Sequence, residues 1–150
     1  GIFRDMTIHD FDMVRFYLGN DEINEIYATA SNISNKRFND IKDYELATCV
    51  IRSKKGVICT INNSRHYKYG YDQRIEIFGN KGCLISKNKK KYNFFIDRYK
   101  TAYKLQLQDL VNLAYKNKKP RASFVDGEKA LLLANAAYKS LLTKKVIKIG

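Results

Sequence analysis

Apolar residues near the start of the chain recur at helical spacing. An apolar stripe is formed by residues three or four positions apart: Thr7, Phe11, Val14 and Leu18. Residues so spaced share one face of a helix. The sequence Gly19-Asn20-Asp21 then stops the helix, because glycine and asparagine accept the backbone conformation of a helix end. The pattern predicts a helix over residues 5–18.

The middle of the chain alternates between short apolar runs and turn residues. Five runs are strand-like: Ile23–Ile33, Tyr44–Arg52, Val57–Tyr67, Arg74–Phe78 and Cys83–Ser86. The turns 53–56 and 79–82 join the second run to the third and the fourth to the fifth. Strands joined by such short turns pair antiparallel. The pattern therefore predicts a largely antiparallel sheet.

Both faces of these strands carry apolar residues. On the second run, Leu46 and Val50 point one way, while Cys49 and Ile51 point the other. A sheet with one face in water alternates more cleanly between apolar and polar residues. We therefore expect one face to meet helices and the other to be covered by another domain or subunit.

The last third of the chain is predicted to be mainly helical. The apolar stripe of a helix over residues 101–117 comprises Leu105, Leu107, Leu110, Val111 and Ala114. Pro120 ends that helix, and Asp126 or Gly127 opens the next. The second stripe comprises Ala130, Leu131, Ala134, Tyr138 and Leu141, and residues 146–149 form a final strand. The predicted fold class is α+β, with an open, mostly antiparallel sheet and helices packed on one face.

Composition is consistent with one folded domain over residues 1–150. Hydrophobic residues make up 45% of the 150 residues, which is typical of a globular protein. No apolar run is long enough to span a membrane. The first residue, Gly1, is not a methionine, so we expect a segment to have been removed upstream.

The positive charge is concentrated in the second half of the chain. Residues 1–75 carry 11 basic and 10 acidic side chains, whereas residues 76–150 carry 17 and 5. A basic surface can bind nucleic acid, which leaves a non-catalytic basic interaction domain as an alternative. The lysines fall in turns such as Lys87–Lys91, and we do not expect a nucleic acid or a membrane as the partner.

Three cysteines, Cys49, Cys59 and Cys83, match no metal-binding spacing. Free cysteines are common in strands, where they behave as small apolar residues. We expect buried, reduced thiols, no metal site and a cytoplasmic protein.

The first helix also carries the best candidates for chemistry. Asp5, His9 and Asp12 are four and three residues apart, so in a helix they share a face. A carboxylate beside an imidazole is a common way to build a general base. The alternative is that Asp5 caps the helix and His9 is an ordinary surface residue.

A second polar segment follows the third predicted strand. Residues 62–74 contain asparagine, tyrosine and histidine side chains, which can bind a neutral, hydroxyl-rich ligand. The alternative is a polar, aromatic strand end without a ligand. Elsewhere the chain contains no G-x-G-x-x-G sequence, no phosphate-binding P-loop and no G-x-S-x-G motif.

Both segments resemble the C-terminal domain of the GFO/IDH/MocA oxidoreductases. The resemblance rests on the D-x-x-x-H-D pattern that begins at Asp5 and on the sequences Asn62-Asn63-Ser64-Arg65 and Tyr69-Gly70-Tyr71-Asp72-Gln73-Arg74. The last two sequences are similar to those of the inositol-oxidising members. The resemblance covers essentially the whole chain and implies an open antiparallel sheet that commonly packs against other subunits.

The resemblance implies a role for each candidate. His9 would be the general base that accepts the proton of a substrate hydroxyl while hydride passes to a nicotinamide. Asp5 would orient His9 and contact the substrate. Asp12 and Tyr69 would bind other hydroxyls of a polyol such as myo-inositol.

The resemblance also implies parts that this sequence lacks. Family members bind NAD in an N-terminal Rossmann domain, which also carries a catalytic lysine. The chain is therefore interpreted as a C-terminal fragment that is inactive alone and forms a dimer or tetramer through its sheet face. Another sugar or cyclitol remains open as the substrate.

Overall fold

In a computed structural model, the described residues, 1–116 and 119–150, form helices and strands in mixed order. The helical elements are a π-turn at Phe3–Thr7, α1 (Ile8–Leu18), α2 (Arg37–Asp40), α3 (Phe95–Lys116) and α4 (Phe124–Thr143). The strands are β1 (Ile23–Ser31), β2 (Leu46–Ser53), β3 (Ile58–Ser64), β4 (Ile75–Gly79), β5 (Gly82–Ser86) and β6 (Ile147–Lys148). The five strands predicted before residue 90 are confirmed within a few residues at each end.

The chain forms two compact units, residues 1–65 with 122–150 and residues 66–121. The first contains a four-stranded antiparallel sheet in the order β3-β2-β1-β6. Its helices α1 and α4 lie together, and α4 packs on β1. This arrangement confirms the predicted α+β class with an open antiparallel sheet.

The core of the first unit lies between this sheet and its helices. Phe11 of α1 is fully buried, beside Ile26, Ile51 and Ala134. Burying a side chain of this size stabilises the fold by about 1.5–3 kcal/mol relative to leaving it in water. Thr7 and Phe11 are buried and Val14 and Leu18 pack against the core, so the predicted stripe of the first helix is confirmed.

The opposite face of the sheet has a mixed surface. Tyr27, Val50 and Ile58 are exposed there, and Thr48 and Arg52 stand on the same face as Val50 because alternate strand residues share a face. The expectation of apolar residues on both faces is therefore met at three positions rather than along whole strands.

The start of α4 differs from the prediction. Ser123 caps the helix and Asp126 bonds back to it, which forms a capping box around the first turn. Asp126 is thus the third helical residue, and the prediction that Asp126 or Gly127 opens the helix was wrong.

The buried face of α4 also differs from the predicted stripe. The buried residues are Ala130, Leu133, Ala134, Ala137 and Ser140. Small residues allow the helix to approach β1, where the Ala28 amide donates to Ser140 Oγ at 2.9 Å. Leu131 and Tyr138, which were predicted for this stripe, are exposed.

The second unit contains the β4–β5 hairpin and α3. Helix α3 begins at Phe95, six residues before the predicted start, and its predicted last residue, 117, lies outside the described residues. Among the described residues, its apolar side chains are not buried. No helix of the described ranges has the length and hydropathy that a membrane crossing requires.

Gly70 occupies a position in the second unit where no side chain fits. Its φ is +101°, and a Cβ atom would lie 2.2 Å from the carbonyl oxygen of Tyr92. The same carbonyl accepts a 2.7 Å hydrogen bond from the Tyr71 amide. The glycine therefore brings the Tyr71 backbone against Tyr92.

We expect Gly70→Ala to destabilise the second unit by more than about 2 kcal/mol, because positive φ and a backbone clash act together. Chemical denaturation followed by tyrosine fluorescence measures the loss. The control is Gly56→Ala, at φ +91° in open space, where only the backbone conformation is unfavourable. Equal losses in the two variants would contradict the role of the Tyr92 contact.

Candidate functional site

The first helical segment carries three of the four predicted site residues. Asp5 lies in the π-turn, and His9 and Asp12 lie in α1. Asp5 and His9 are exposed and Asp12 is half-buried, whereas Thr7 and Phe11 face the core. The N-cap position is occupied by Ile2, so the alternative in which Asp5 caps the helix was wrong.

The Asp5 carboxylate is bound by an arginine from the end of β3. Arg65 Nη1 donates to Asp5 Oδ2 at 3.0 Å. In the π-turn the hydrogen bonds join residues five apart rather than four, as in an α-helix. This changes how the side chains of residues four apart align along the helical segment. Among the described residues, Asp5 is bonded to Arg65 and not to His9.

Asp43 organises the start of the same turn. Its Oδ1 accepts hydrogen bonds from the amides of Ile2 at 2.6 Å and Tyr44 at 2.8 Å, and its Oδ2 accepts from Arg65 at 3.0 Å. Burial raises the pKa of the Asp43 carboxyl, but these amides and the guanidinium outweigh it and hold the pKa below its usual range. The carboxylate therefore stays ionised at neutral pH.

Asp12 is also paired with an arginine. Arg15 Nη1 donates to Asp12 Oδ1 at 2.9 Å and to the Asp126 carbonyl at 3.0 Å, and Nη2 donates to Asp126 Oδ1 at 3.1 Å. One guanidinium thus joins Asp12 of α1 to the first turn of α4. His9 stands between Asp5 and Asp12 in sequence, and its ring makes no hydrogen bond to any residue in the described part of the chain.

A partly buried polar bridge connects the same helical segment to the sheet. The Thr7 hydroxyl donates to Asn63 Oδ1 at 2.6 Å, and Asn63 Nδ2 donates to Asp10 Oδ2 at 2.8 Å. Thr7 is fully buried, so an unpaired hydroxyl here would be costly. The bridge fixes the height and rotation of the segment that carries His9.

Asn63 and Arg65 were not among the predicted site residues, although the sequence contains a signal for them. Asn63 lies on the same side of β3 as Cys59 and Ile61, because strand residues two apart share a face, and Arg65 directly follows the strand. Polar residues that continue a buried row at the end of a strand indicate polar partners on the packed helix. Those partners are Asp10 and Asp5.

Tyr69 lies in the second unit, in the segment between β3 and β4. Its side chain is exposed, and its ring meets that of Tyr67 edge-to-face at 5.9 Å. Nearby, the hydroxyl groups of Tyr71 and Tyr99 lie 3.1 Å apart, and Asn88 Nδ2 donates to the Tyr71 carbonyl at 2.7 Å. The tyrosine-rich segment is therefore ordered by packing within its own unit.

The three cysteines are free thiols on strands, as predicted. Burial raises the pKa of Cys49 to about 12, and the nearby Asp10 charge adds to the effect. Cys83 is exposed, so the expectation that it is buried was wrong. In the ranges that the structure describes, no group of three histidine, cysteine or acidic side chains is placed to hold a metal ion.

A family model described as the GFO/IDH/MocA C-terminal domain matches residues 1–85. The chain belongs to the GFO/IDH/MocA family. It is 38% identical to a myo-inositol 2-dehydrogenase of Thermotoga maritima over 99% of this chain and 49% of the relative. It is 27% identical to a scyllo-inositol 2-dehydrogenase (NAD(+)) of Bacillus subtilis over 93% of this chain and 45% of the relative.

Solved structures agree with this family membership. A crystal structure of a myo-inositol dehydrogenase from Corynebacterium glutamicum superposes with a TM-score of 0.94 and 37% identity, covering 100% of this chain and 50% of that one. This GFO/IDH/MocA chain thus spans about half the length of the relatives it matches.

The pairing of Arg15 with the capping box predicts a pH-dependent stability. The Ser123 amide and hydroxyl, followed by Arg15, lower the pKa of Asp126 from 3.8 to about 2. A carboxyl group with a lowered folded-state pKa stabilises the fold above its unfolded-state pKa, and this stability is lost as the pH falls toward the folded-state value. The stabilisation from Asp126 is therefore lost between about pH 4 and pH 2.

We expect Asp126→Asn to lower the melting temperature above about pH 4 and to matter progressively less toward pH 2. Thermal unfolding of both proteins across this range, followed by circular dichroism, gives the difference. Glu128→Gln serves as the control, because it removes one charge from the same exposed turn without altering the capping box. A difference between Asp126→Asn and the unsubstituted chain that does not change with pH would contradict the assignment.

Proposed function

We propose that this chain is the substrate-binding part of an NAD-dependent inositol 2-dehydrogenase. The observation that carries the proposal is the first helical segment, which presents Asp5 and His9 to solvent while Arg65 and Asn63 hold it to the sheet. Relatives named as inositol dehydrogenases support the choice of reaction. We treat residues 1–150 as one substrate-binding and oligomerisation domain.

In the proposed reaction, a ring hydroxyl of the polyol is oxidised to a ketone. A nitrogen of the His9 imidazole accepts the hydroxyl proton. Bound NAD supplies the acceptor for the hydride that leaves the same carbon. The alcohol thus loses one proton to His9 and one hydride to NAD, which balances the oxidation.

The other site residues bind and orient the polyol. Since Asp5 is bonded to Arg65 and not to His9, we assign its carboxylate to the substrate hydroxyls rather than to the imidazole. Asp12 and Tyr69 are assigned to further hydroxyls, because a carboxylate accepts and a phenol both donates and accepts. These groups would recognise a neutral, hydroxyl-rich ring through hydrogen bonds.

The sequence of this chain contains no dinucleotide-binding fingerprint. Its eight glycines never form the G-x-G-x-x-G sequence that holds a pyrophosphate against a helix start. We therefore propose that NAD is held by an N-terminal Rossmann domain, together with a catalytic lysine, and that this chain alone is inactive.

The polyol is assigned to the inositol class rather than to one isomer, because the relatives include enzymes named for myo-inositol and for scyllo-inositol. The alternative is a different sugar or cyclitol. The alternative of a basic interaction domain has less support. Lys90 and Arg98 lie over the Tyr92 ring at 5.6 and 5.7 Å, so part of the positive charge of the second unit contacts an aromatic ring of that unit. We also propose a cytoplasmic location, because free thiols such as these three persist in a reducing compartment.

His9→Ala should lower kcat by about 10²–10⁴-fold, because it removes the proton acceptor. The measurement is inositol-dependent NAD reduction by the complete protein encoded by the reading frame that contains this sequence. NAD affinity is the control and should not change. Normal activity of His9→Ala would rule out the assigned mechanism, whereas a preference for open-chain or phosphorylated sugars in a substrate panel would rule out inositol.

We also propose that the chain forms a homo-oligomer through the outer face of its sheet. Tyr27, Val50 and Ile58 expose apolar surface there, and a charge at the middle of such a face opposes association. Light scattering should give the mass of a dimer or tetramer for the unsubstituted protein and of a monomer for Val50→Asp. The control is Leu132→Asp, on the exposed side of α4. A monomeric unsubstituted protein would contradict the proposal.

A further inference from the structure

Arg65 lies at the junction between the sheet and the first helical segment. It follows the last residue of β3, and its amide donates to the Glu45 carbonyl at 2.8 Å. All three guanidinium nitrogens are used: Nε donates to the Tyr44 carbonyl at 3.1 Å, and Nη1 and Nη2 donate to Asp5 and Asp43 at 3.0 Å each. The guanidinium carbon also lies 5.8 Å from the centre of the Phe38 ring.

The two carboxylates that Arg65 binds are in different environments. The side chain of Asp43 is 15% exposed and that of Asp5 is 63% exposed, while the arginine side chain is 21% exposed. Asp43 and Tyr44 are therefore the contacts that hold the guanidinium in place. The fixed Arg65 therefore orients the exposed Asp5 carboxylate. This contact is not there for stability, since an exposed ion pair contributes little to it.

Only one oxygen of the Asp5 carboxylate is used in this contact. Oδ2 accepts from Arg65, and no residue in the described ranges donates to Oδ1. A charged acceptor with one oxygen fixed and the other free suits a hydroxyl donor from a ligand.

The start of the π-turn depends on the same arrangement. Asp43 accepts from the Ile2 amide through Oδ1 and from Arg65 through Oδ2. One carboxylate thus fixes both the backbone that precedes Asp5 and the arginine that binds its side chain. Movement of Arg65 would displace Asp5 relative to His9, and displacement by about 1 Å can cost about 10²-fold in rate.

We propose that Arg65 is a positioning residue, which holds the Asp5 carboxylate with one oxygen free to accept a substrate hydroxyl. This inference rests on the proposed function. It deepens that function because Arg65, at the end of β3, and not His9, is the group that orients Asp5.

The test is a double-mutant cycle in the complete protein, with kcat, KM and melting temperature measured for each variant. Arg65→Gln and Asp5→Asn should each lower kcat/KM by about 10–10²-fold. Because Arg65 acts through Asp5, the kcat/KM of the double variant should equal that of the less active single variant within about twofold. Arg65→Lys keeps a cation against Asp43, should recover part of the loss, and serves if Arg65→Gln does not fold.

The matched control is Arg4→Gln. Arg4 lies in the same π-turn and donates to Asn135 Oδ1 at 2.9 and 2.7 Å, and within the described ranges its guanidinium makes no hydrogen bond or ion pair with the Asp5 carboxylate. It should lower the melting temperature slightly and leave kcat/KM unchanged.

Losses of Arg65→Gln and Asp5→Asn that multiply in the double variant would overturn the inference, as would an equal loss of kcat/KM in Arg4→Gln. Either result, in a protein that oxidises inositol, leaves the proposed function standing. A complete protein that oxidises no inositol would overturn both.

Discussion

The site depends on how the polar end of β3 holds the first helical segment. A helix packed on a sheet through apolar side chains alone can rotate or slide by small amounts at little cost. Here Asn63 bonds to Thr7 and Asp10, and Arg65 bonds to Asp5. Hydrogen bonds have preferred lengths and directions, so this segment has one height and one rotation. The residues that would meet a substrate inherit their positions from that packing.

Electrostatics then separates the two acidic residues from the histidine between them. Arg65 binds Asp5 and Arg15 binds Asp12. Each guanidinium also binds a second carboxylate, Asp43 for Arg65 and Asp126 for Arg15, so both acids are held by arginines that are themselves fixed. Under the proposed function, this arrangement would offer acceptors for hydroxyl groups and leave the imidazole free for proton transfer.

The points at which prediction and structure differ have local physical causes. Helix α4 starts earlier than its acidic residue suggested because Asp126 bonds back to Ser123. Its buried face follows small residues and not the largest apolar ones, since Ala134, Ala137 and Ser140 let the helix approach β1. Leu131 and Tyr138 have the correct spacing for a stripe but stand on the exposed side. Spacing identifies a helix, but only the surface that it meets decides which stripe is buried.

The sequence by itself determined the order of elements, the antiparallel pairing and the position of Asp5, His9 and Asp12 on the first helical segment. Those features follow from local spacing, turn chemistry and short connections, which act within a few residues along the chain. The family pattern was also recognisable from such short segments. Only the tertiary structure decided which groups bind Asp5, Asp12 and Asp10, because their partners lie 60, 3 and 53 residues away. Even the near partner, Arg15, takes its place by bonding to Asp126, 111 residues further along, and contacts over such distances exist only once the sheet and helices have packed.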